Sequence, residues 1–320
     1  MENRWKKPFS RCYVEEAALG YPLTARILDK LGLEPSPIRH YKDLFDRPNQ
    51  DFPAQKQSPQ LILAVRRDHF FYPGSANCDS FGHARFFYST LMMNCPYDCE
   101  YCYLQGLYPS ANVAVFVNTE DYLAHLPEPP AYVALSYDSD LLALERLTGI
   151  AGIWLRAAAR QPGLELELRT KSANFAAISH VPPPPNVTLA WSLSPEEVIA
   201  ELEHGTPSLQ ARLANAGEAI DRGWKVRLCF DPMIWSADWR QRYERLAQTV
   251  GQKVPAGAEV SVGCFRLPAG CWKKMERMRH GSRIWVYPGM VRGEYVGYRE
   301  EDEREMTETM KGWISQYYCG

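Results

Sequence analysis

Regular alternation between strand-like and helix-like segments, from about residue 60 to residue 265, is the feature that most constrains this fold. A strand is predicted over Leu164–Thr170, because three leucines alternate with charged residues at a period of two. A helix is predicted over Ser208–Arg222, where apolar residues form one stripe and Gly223 follows at the position of a C-terminal cap. Strands separated by helices predict βαβ units and a parallel sheet.

The remaining segments extend this alternation along the chain. Further strands are predicted at Leu61–Val65, Ala84–Thr90, Tyr132–Ser136, Val187–Leu193, Trp224–Asp231 and Glu259–Phe265. Helices are predicted from about Leu141 and over Trp239–Val250, with a short helix at Thr24–Leu31 that Gly32 closes. About six such units in about 180 residues are too few for an eight-fold barrel of about 250 residues, so we predict an α/β fold with an open or partial barrel.

Composition places the chain among ordinary globular proteins. Its 320 residues are 46% hydrophobic and carry a formal net charge of −2 at pH 7. No run approaches the ~20 apolar residues of a membrane-spanning helix, so we expect no membrane association. The first residues lack the apolar block of a secretory signal peptide, which favours a cytoplasmic location. We predict an N-terminal extension at 1–83, a barrel at 84–265 and a C-terminal region at 266–320.

Three cysteines carry the strongest chemical signal. Cys95, Cys99 and Cys102 form the pattern Cys-x3-Cys-x2-Cys. Such spacings let three thiolates converge from one loop onto an iron–sulfur cluster, and because a cubane normally takes four ligands, one iron stays open to an exogenous chelating ligand. The alternative is a structural zinc site with a fourth Cys or His, for which Cys78 and His83 are the close candidates.

With an aromatic residue directly before Cys102, the motif resembles the signature of radical S-adenosylmethionine (SAM) enzymes. The wider string Cys95–Gln105 resembles the spore photoproduct lyase family in particular. The resemblance covers most of the chain and weakens after about residue 265. Its other segments are Ala18–Leu23, Ser192–Pro195, Glu203–Leu209 with Arg212 and Leu213, and Asp231–Ile234 followed by Trp239 and Tyr243.

This resemblance implies a fold, two cofactors and a reaction. The fold is a partial (β/α)6 barrel of the radical SAM type, with a [4Fe-4S] cluster on Cys95, Cys99 and Cys102 at its open end. SAM is the source of a 5′-deoxyadenosyl radical, because the cofactor supplies the hard chemistry. The radical abstracts hydrogen from a methylene-bridged thymine dimer in DNA, and the bridge then fragments.

Cofactor contacts are also implied by the resemblance. Ser139, Lys171 and Ser192 match residues that hold SAM, and Asp231 is expected at the same site. A lysine and two hydroxyls suit an α-amino-acid head, since they offer a compensating charge and hydrogen-bond donors. From the residues themselves, Lys171 also fits a solvated charge at a strand end, and Ser139 also fits a helix cap.

Return of hydrogen to the product radical is where this sequence departs from the family. The family uses a cysteine at the position of Tyr137 in this chain. Tyr101 and Tyr103, on either side of Cys102, match a pair of tyrosines that assist this step. Tyr137 is therefore expected to join or replace that relay as a catalytic residue.

A relocated thiol is the second hypothesis for the hydrogen donor. Cys229 shares a strand face with Asp231, because side chains alternate along a strand. The competing interpretation is that Cys229 is a small buried hydrophobe. Cys264 and Cys271 are weaker candidates. The sequence gives no role to Cys12, Cys78 and Cys319.

A basic segment between Arg266 and Arg299 predicts DNA as the partner. It holds eight basic residues against two acidic ones and is interleaved with aromatic side chains. Such a mixture contacts phosphates and stacks on bases. The resemblance places a DNA-contacting β-hairpin at Ile284–Tyr298. A solvated charged surface remains the alternative.

The leading hypothesis is a carbon–carbon lyase of the radical SAM type that repairs or cleaves a modified thymine lesion in DNA. We expect a monomer that receives electrons from a reductant such as flavodoxin or ferredoxin. Three alternatives stay open. They are a radical SAM enzyme with a non-DNA substrate, a cluster-bearing binding protein without turnover, and a zinc-stabilised structural protein.

Overall fold

The structure is a computed structural model that describes residues 9–75 and 78–318, so Cys319 lies outside the described residues. The chain divides into two compact units. The first comprises the described residues up to Pro96 together with Tyr108–Leu168. The second comprises Tyr97–Leu107 and the described residues from Arg169 onward.

Strands and helices alternate along the described chain. The strands are β1 (Cys12–Glu15), β2 (Pro35–Ile38), β3 (Leu61–Ala64), β4 (Tyr72–Pro73), β5 (Phe86–Tyr88), β6 (Met92–Met93), β7 (Asp98–Cys99), β8 (Val113–Phe116), β9 (Ala131–Ala134), β10 (Leu164–Thr170), β11 (Val187–Ser192), β12 (Glu203–His204), β13 (Lys225–Met233), β14 (Glu259–Cys264), β15 (Arg266–Pro268), β16 (Val291–Arg292) and β17 (Tyr295–Gly297). The helices are α1 (Pro22–Leu31), α2 (Lys42–Phe45), α3 (Phe52–Gln57), α4 (Leu104–Leu107), α5 (Thr119–Ala124), α6 (Glu145–Thr148), α7 (Ile150–Ala158), α8 (Glu196–Leu202), α9 (Leu209–Asp221), α10 (Trp239–Lys253), α11 (Ala269–Met278) and α12 (Glu300–Tyr317). Short 3₁₀ turns occur at Glu16–Ala18, Leu142–Leu144, Phe175–Ala177 and Arg283–Trp285.

The first unit contains two sets of paired strands. One has the order β2-β1-β3-β8-β6, parallel except for β6. Strands β1 and β2 were not predicted from the sequence. In β2, two of the four residues are prolines, which do not indicate a strand. Proline lacks an N–H donor and is tolerated on an edge strand, which is the position that β2 occupies.

The other set in the first unit pairs β10 with β9 and β9 with β5 in parallel, while β4 joins β5 antiparallel. Strand β10 has the bounds that its alternating leucines predict. Trp154 of α7 is 1% exposed and anchors the apolar core of this unit. Polar residues of the candidate site follow shortly after two of these strands. Thr90 follows β5, and Tyr137, Asp138 and Ser139 follow β9.

The second unit contains the parallel strands β11, β13 and β14 with helices α8, α9 and α10 between them. Helix α9 confirms its sequence signals: the Ser208 hydroxyl accepts the amide of Ala211, and Gly223 has a φ of +82° after the last turn. Parallel strands joined by helices are the predicted architecture.

The C-terminal part of the second unit forms a small antiparallel sheet of order β15-β17-β16. Strands β16 and β17 make a hairpin inside the range predicted for one, Ile284–Tyr298. Helix α12 then packs on α10, where the glycine Gly251 allows a close approach to the carbonyl of Tyr317. Among residues 9–75 and 78–318, no helix has both the length and the apolar character required to cross a membrane.

Candidate active site

The entrance to the cysteine loop is anchored in the first unit. Asn94, directly before Cys95, has a φ of +65°, and its buried side-chain amide donates to the carbonyls of Ser110 (2.6 Å) and Asn112 (2.8 Å). The Lys56 ammonium donates to the carbonyl of Cys95 at 2.7 Å. These contacts hold the chain in a left-handed turn, which asparagine tolerates better than most residues, where the motif begins.

The remainder of the loop is held in the second unit by one buried glutamine. The side-chain amide of Gln105 donates to the carbonyls of Cys99 (2.7 Å), Glu100 (3.2 Å) and Cys102 (3.3 Å). Arg279 in turn donates to the Gln105 side chain at 2.9 Å and to the Asp98 carboxylate at 2.5 Å. Side chains therefore fix the backbone between the second and third cysteines, in addition to the short strand β7 where this segment begins.

The thiols of this loop suit an iron–sulfur cluster. Cys99 is buried, Cys95 and Cys102 are partly exposed, and none of the three is in a disulfide. Within the described residues, no three His, Cys, Asp or Glu side chains are arranged around one metal ion. In a cubane each cysteine ligand binds a different iron, so three thiolates supplied by one loop suit such a cluster.

A buried ionic network lies beside Cys99 in the second unit. Glu203 pairs with Cys99 in the antiparallel ladder of β12 and β7. Its carboxylate accepts hydrogen bonds from the Tyr101 hydroxyl, the Arg212 guanidinium and, at 2.8 Å, the Ser194 hydroxyl. The side chains of Glu203 and Arg212 are both 0% exposed. A charge pair this deep is maintained by its complete set of hydrogen bonds.

Lys171, which follows β10, belongs to the same network. Its ammonium lies 5.4 Å from the centroid of the Tyr101 ring. Burial has the largest single effect and lowers the pKa of Lys171, but the charges of Glu203, Cys99 and Cys102 together outweigh it and the net pKa is raised. Burial likewise raises the pKa of the Cys99 thiol to about 12, and the Lys171 charge opposes that shift. Lys171 is therefore a half-buried cation whose charge interacts with that of Glu203.

Protonation states in this network follow from the same charges. Burial raises the pKa of Tyr101 well above its usual value, and the Glu203 charge raises it further. For Glu203, burial favours the neutral acid, yet the charges of Arg212 and Lys171 bring its pKa below the ordinary value. Tyr101 is therefore a protonated donor to an ionised carboxylate. The sequence analysis assigned no role to Glu203 or Arg212, although both lie in a segment that carries the resemblance.

Ser192, Cys229 and Asp231 lie on neighbouring strands of the second unit. Ser192 of β11 is in register with Cys229 of β13, which is in register with Ser261 of β14. Cys229 is 0% exposed. Asp231 forms ion pairs with Arg169 (3.5 Å) and Arg266 (3.4 Å). The carbonyl of Ser192 accepts the Arg212 guanidinium at 3.1 Å, which connects this group to the buried network.

Ser139 and its neighbours lie in the first unit beside the loop entrance. The Ser139 hydroxyl donates to the carbonyl of Asn94 at 2.8 Å, and the Asp138 carboxylate accepts the Thr90 hydroxyl at 2.5 Å. The capping contact at the next helical turn comes from Asp140, whose carboxylate accepts the amide of Ala143 at 3.0 Å. Ser139 is therefore not the cap that the sequence also allowed.

Tyr137 contacts Cys78, a thiol for which the sequence indicated no part in hydrogen return. Its hydroxyl lies 3.5 Å from Sγ of Cys78, and its ring stacks on Tyr88 with centroids 4.1 Å apart. Burial and the hydrogen bond with Cys78 both raise the pKa of Tyr137, so the phenol is protonated. Fifty-nine residues separate Cys78 from Tyr137, so no local motif connects them. Tyr103, the remaining predicted catalytic residue, precedes α4 and is half-buried.

Comparisons with known proteins agree on one family. Residues 8–320 match the family model described as spore photoproduct lyase. Curated spore photoproduct lyases from Geobacillus sp. and Clostridium acetobutylicum are 25% and 23% identical, over 98% and 99% of this chain and 97% of each relative. The Bacillus subtilis spore photoproduct lyase is 21% identical over 96% of the chain and 94% of its own length.

Solved structures show the same fold. A spore photoproduct lyase complexed with dinucleoside spore photoproduct aligns with a TM-score of 0.83 at 22% identity, covering 98% of both chains. A variant with bound AdoMet and dinucleoside spore photoproduct aligns with a TM-score of 0.82 at 21% identity over the same share. The predicted mixed α/β fold of the partial-barrel type is thus confirmed.

Proposed function

Because the chain belongs to the spore photoproduct lyase family, we propose that it is a radical SAM lyase that repairs a thymine lesion in DNA. The match of residues 8–320 to the family carries this proposal, since it spans the cysteine loop and both units. The loop geometry supports it, because Cys95, Cys99 and Cys102 are not in disulfides and side chains of Asn94 and Gln105 hold the chain around them. We assign these three thiols as the ligands of a [4Fe-4S] cluster.

Cofactor binding is assigned to Ser139, Lys171, Ser192 and Asp231. When bound, the cluster and SAM together supply a 5′-deoxyadenosyl radical. Lys171 offers a half-buried positive charge for the SAM carboxylate, and the charge of Glu203 favours its protonated form. Ser139 and Ser192 offer hydroxyl groups, and Asp231 offers a carboxylate that two arginines already position.

Carbon–carbon bond cleavage is the reaction subtype that we assign. The structural relatives were solved with dinucleoside spore photoproduct. For this chain we propose that fragmentation of a methylene-bridged thymine pair leaves a product radical to which hydrogen must be returned. Tyr101, Tyr103, Tyr137 and Cys229 are the residues predicted for that return. The Tyr101 hydroxyl donates a hydrogen bond to Glu203, so oxidation of Tyr101 during radical transfer would release its proton to that carboxylate.

DNA, a reductant and a cytoplasmic location complete the proposal. Residues 266–320 are assigned to DNA contact, with the hairpin of β16 and β17 inside that region. A one-electron reductant such as flavodoxin or ferredoxin is required, because the cluster must be reduced for SAM cleavage. We propose a monomer in the cytoplasm, where a reducing environment keeps cysteines available for metal binding.

Anaerobic reconstitution tests the function. The chain is supplied with iron, sulfide, SAM, dithionite and dinucleoside spore photoproduct, and 5′-deoxyadenosine and repaired thymine are measured together. We expect both products from wild type and neither from Cys99→Ala. Cys12→Ala is the matched control, because Cys12 is a buried cysteine of β1 outside the site. Deoxyadenosine without repaired thymine in wild type would reject the substrate, and absence of both would reject the radical SAM assignment.

A radical SAM enzyme on a non-DNA substrate is the second candidate. It is favoured by the ion pairs of the basic segment, where Arg279 pairs with Asp98 and Arg299 with Asp302. An arginine paired with a carboxylate attracts DNA phosphates less strongly than an unpaired arginine, because the two charges largely cancel. Salt-sensitive binding of duplex DNA would exclude this candidate.

A further inference from the structure

Four oxidisable side chains of the first unit form a spatial series of contacts that begins at Cys78. Sγ of Cys78 is 3.5 Å from the Tyr137 hydroxyl. Tyr137 stacks on Tyr88 with centroids 4.1 Å apart and planes inclined by 24°. Tyr88 stacks on Tyr72 at 5.2 Å and 20°. All four side chains are half-buried.

The fold builds this series from separate parts of the chain. Tyr72 of β4 and Tyr88 of β5 are opposite each other in the antiparallel ladder. Tyr88 also pairs in register with Ala134 of β9, and Tyr137 follows that strand. At the far end, the Arg66 guanidinium donates to the Tyr72 hydroxyl and lies 5.6 Å from the centroid of its ring. The stack therefore leads away from Tyr137 toward the edge strand β4.

We propose that Cys78, Tyr137, Tyr88 and Tyr72 form a radical-transfer chain that returns hydrogen to the product and receives its replacement at Tyr72. The inference rests on the proposed lyase function and deepens it. It places the relocated thiol at Cys78, whereas the sequence suggested Cys229. Cys229 is fully buried in β13, whereas Cys78 is half-exposed and contacts the phenol that replaces the expected cysteine.

Each step of this chain exchanges one hydrogen atom. The S–H bond of Cys78 breaks as a C–H bond forms on the product carbon radical, which leaves a thiyl radical. The thiyl radical takes hydrogen from the Tyr137 hydroxyl, Tyr137 takes it from Tyr88, and Tyr88 takes it from Tyr72. The Tyr72 radical is then restored by one electron from a soluble one-electron reductant and one proton from water. The S–H and phenol O–H bonds are similar in strength, so no step is strongly uphill.

Burial keeps the phenols of Tyr88 and Tyr137 in the protonated form that hydrogen transfer requires. Desolvation raises the pKa of Tyr88, and it also raises the pKa of Tyr137, where the hydrogen bond with Cys78 adds to the effect. Asp138 is close enough to raise both pKa values further. A protonated phenol transfers a hydrogen atom, whereas a phenolate transfers an electron alone. Tyr88 and Tyr137 are therefore in the form that exchanges hydrogen atoms.

Repair in D₂O tests the first step, because the Cys78 thiol exchanges its proton with solvent. With dinucleoside spore photoproduct and dithionite, wild type is expected to form repaired thymine that carries one deuterium. Cys78→Ala is expected to continue to form 5′-deoxyadenosine while losing the labelled thymine. In the double variant Cys78→Ala with Tyr137→Cys, a thiol next to the original position is expected to restore the labelled product.

Outcomes of the labelling experiment separate the two proposals. Wild type without any repair would overturn the lyase function and this inference with it. Normal labelled repair by Cys78→Ala would overturn the inference and leave the lyase function intact. Loss of label in Cys229→Ala, with retention in Cys78→Ala, would assign the donor to Cys229. Thermal unfolding of Cys78→Ala and Cys78→Ser checks that both variants fold.

Electron paramagnetic resonance tests the stack independently of product yield. In samples frozen during turnover, a tyrosyl radical is expected in wild type and is expected to change its line shape when tyrosine is ring-deuterated. Tyr88→Phe is expected to complete a first turnover and then stop, with the radical retained on Tyr137. Tyr13→Phe, on β1 outside the stack, is the matched control. Sustained wild-type turnover by Tyr88→Phe would exclude the path through Tyr88 and Tyr72.

Discussion

Glu203 is the residue whose charge compensates the cations Arg212 and Lys171 of the second unit. Arg212 has a 0% exposed side chain, and Lys171 lies within the electrostatic reach of the same carboxylate. Removing one partner of a buried pair leaves an uncompensated charge, so we expect Glu203→Gln to lower the free energy of unfolding by about 3–5 kcal/mol. Urea denaturation followed by circular dichroism measures this change.

Glu197→Gln is the matched control for that prediction. Glu197 pairs with Arg245, and the two side chains are 38% and 47% exposed. An exposed pair contributes about 0–1 kcal/mol, because water and salt screen the charges. Equal effects of the two substitutions would show that the buried network does not stabilise the fold as its hydrogen bonds indicate.

Glu145 gives a prediction on pH dependence in the first unit. Its carboxylate accepts the amides of Ala151 (2.8 Å) and Gly152 (2.9 Å), but burial dominates and raises its pKa from 4.5 to about 7. Between these values the folded chain retains a proton that the unfolded chain has lost. Stability should therefore fall as pH rises from about 4.5 to about 7, by at most about 1.4 kcal/mol per pH unit.

Comparison of wild type with Glu145→Gln isolates the contribution of this carboxyl. The variant has no proton to lose at that position, so the slope attributed to Glu145 should be absent from it. Chemical denaturation at intervals across the window gives both curves. A parallel pair of curves would mean that the two amide hydrogen bonds keep the folded pKa near its ordinary value.

At the scale of elements, contact between α4 and α11 supports the cysteine loop. A Cβ added at Gly106 would lie 2.3 Å from Cβ and 2.6 Å from Cα of Cys271, closer than real atoms approach. Since backbone is involved, α11 would have to move. We expect Gly106→Ala to lower the free energy of unfolding by about 1–3 kcal/mol. Thermal or urea unfolding measures it.

Gly312→Ala provides the control in α12. A Cβ there meets no atom within 4 Å, and Gly312 lies inside the helix. Replacing such a glycine removes its conformational freedom in the unfolded chain, so we expect stabilisation by roughly 0.5–1 kcal/mol. Destabilisation by both substitutions would contradict the assignment of a special close contact to Gly106.

Elements with strong local signals were predictable from the sequence, and elements that depend on pairing were not. Helix α9 carries its own cap at Ser208 and its own stop at Gly223, so its bounds follow from the chain itself. Strand β2 carries two prolines and no alternating pattern, and it is a strand because β1 lies beside it. Tertiary partners override local preference in such short strands.

The same distinction separates the parts of the site at the scale of the whole molecule. The Cys95–Cys102 loop could be predicted because its three cysteines lie close together in the sequence and at a characteristic spacing. Glu203 lay within a motif that carries the resemblance, yet its role depends on Tyr101 and Arg212, which only the fold brings to it. Cys78 carried no signal for hydrogen return, because its partner Tyr137 is remote in sequence.

The basic residues between Arg266 and Arg299 do not all have the same role in the folded protein. Arg279, near the end of α11, is occupied in holding Asp98 and Gln105, so it supports the cysteine loop. Lys273 and Arg277 lie exposed one turn apart on α11, where the Arg277 guanidinium donates to the carbonyl of Lys273 at 3.1 Å. Contact with DNA phosphates is thus expected from the exposed residues of this segment rather than from all of its charges.

Salt-dependent binding of ultraviolet-irradiated duplex DNA distinguishes these two kinds of arginine. Each phosphate contact contributes about 0.9 to the slope of log affinity against log salt concentration, so Arg277→Ala should reduce the slope by about that amount. Arg279→Ala should leave the slope unchanged and lower the unfolding temperature, because it releases Asp98 and Gln105. Fluorescence anisotropy over a potassium chloride series measures the slope. If Arg279→Ala reduced the slope and Arg277→Ala did not, DNA contact would be assigned to Arg279. That result would contradict the expectation that the exposed arginines contact the phosphates.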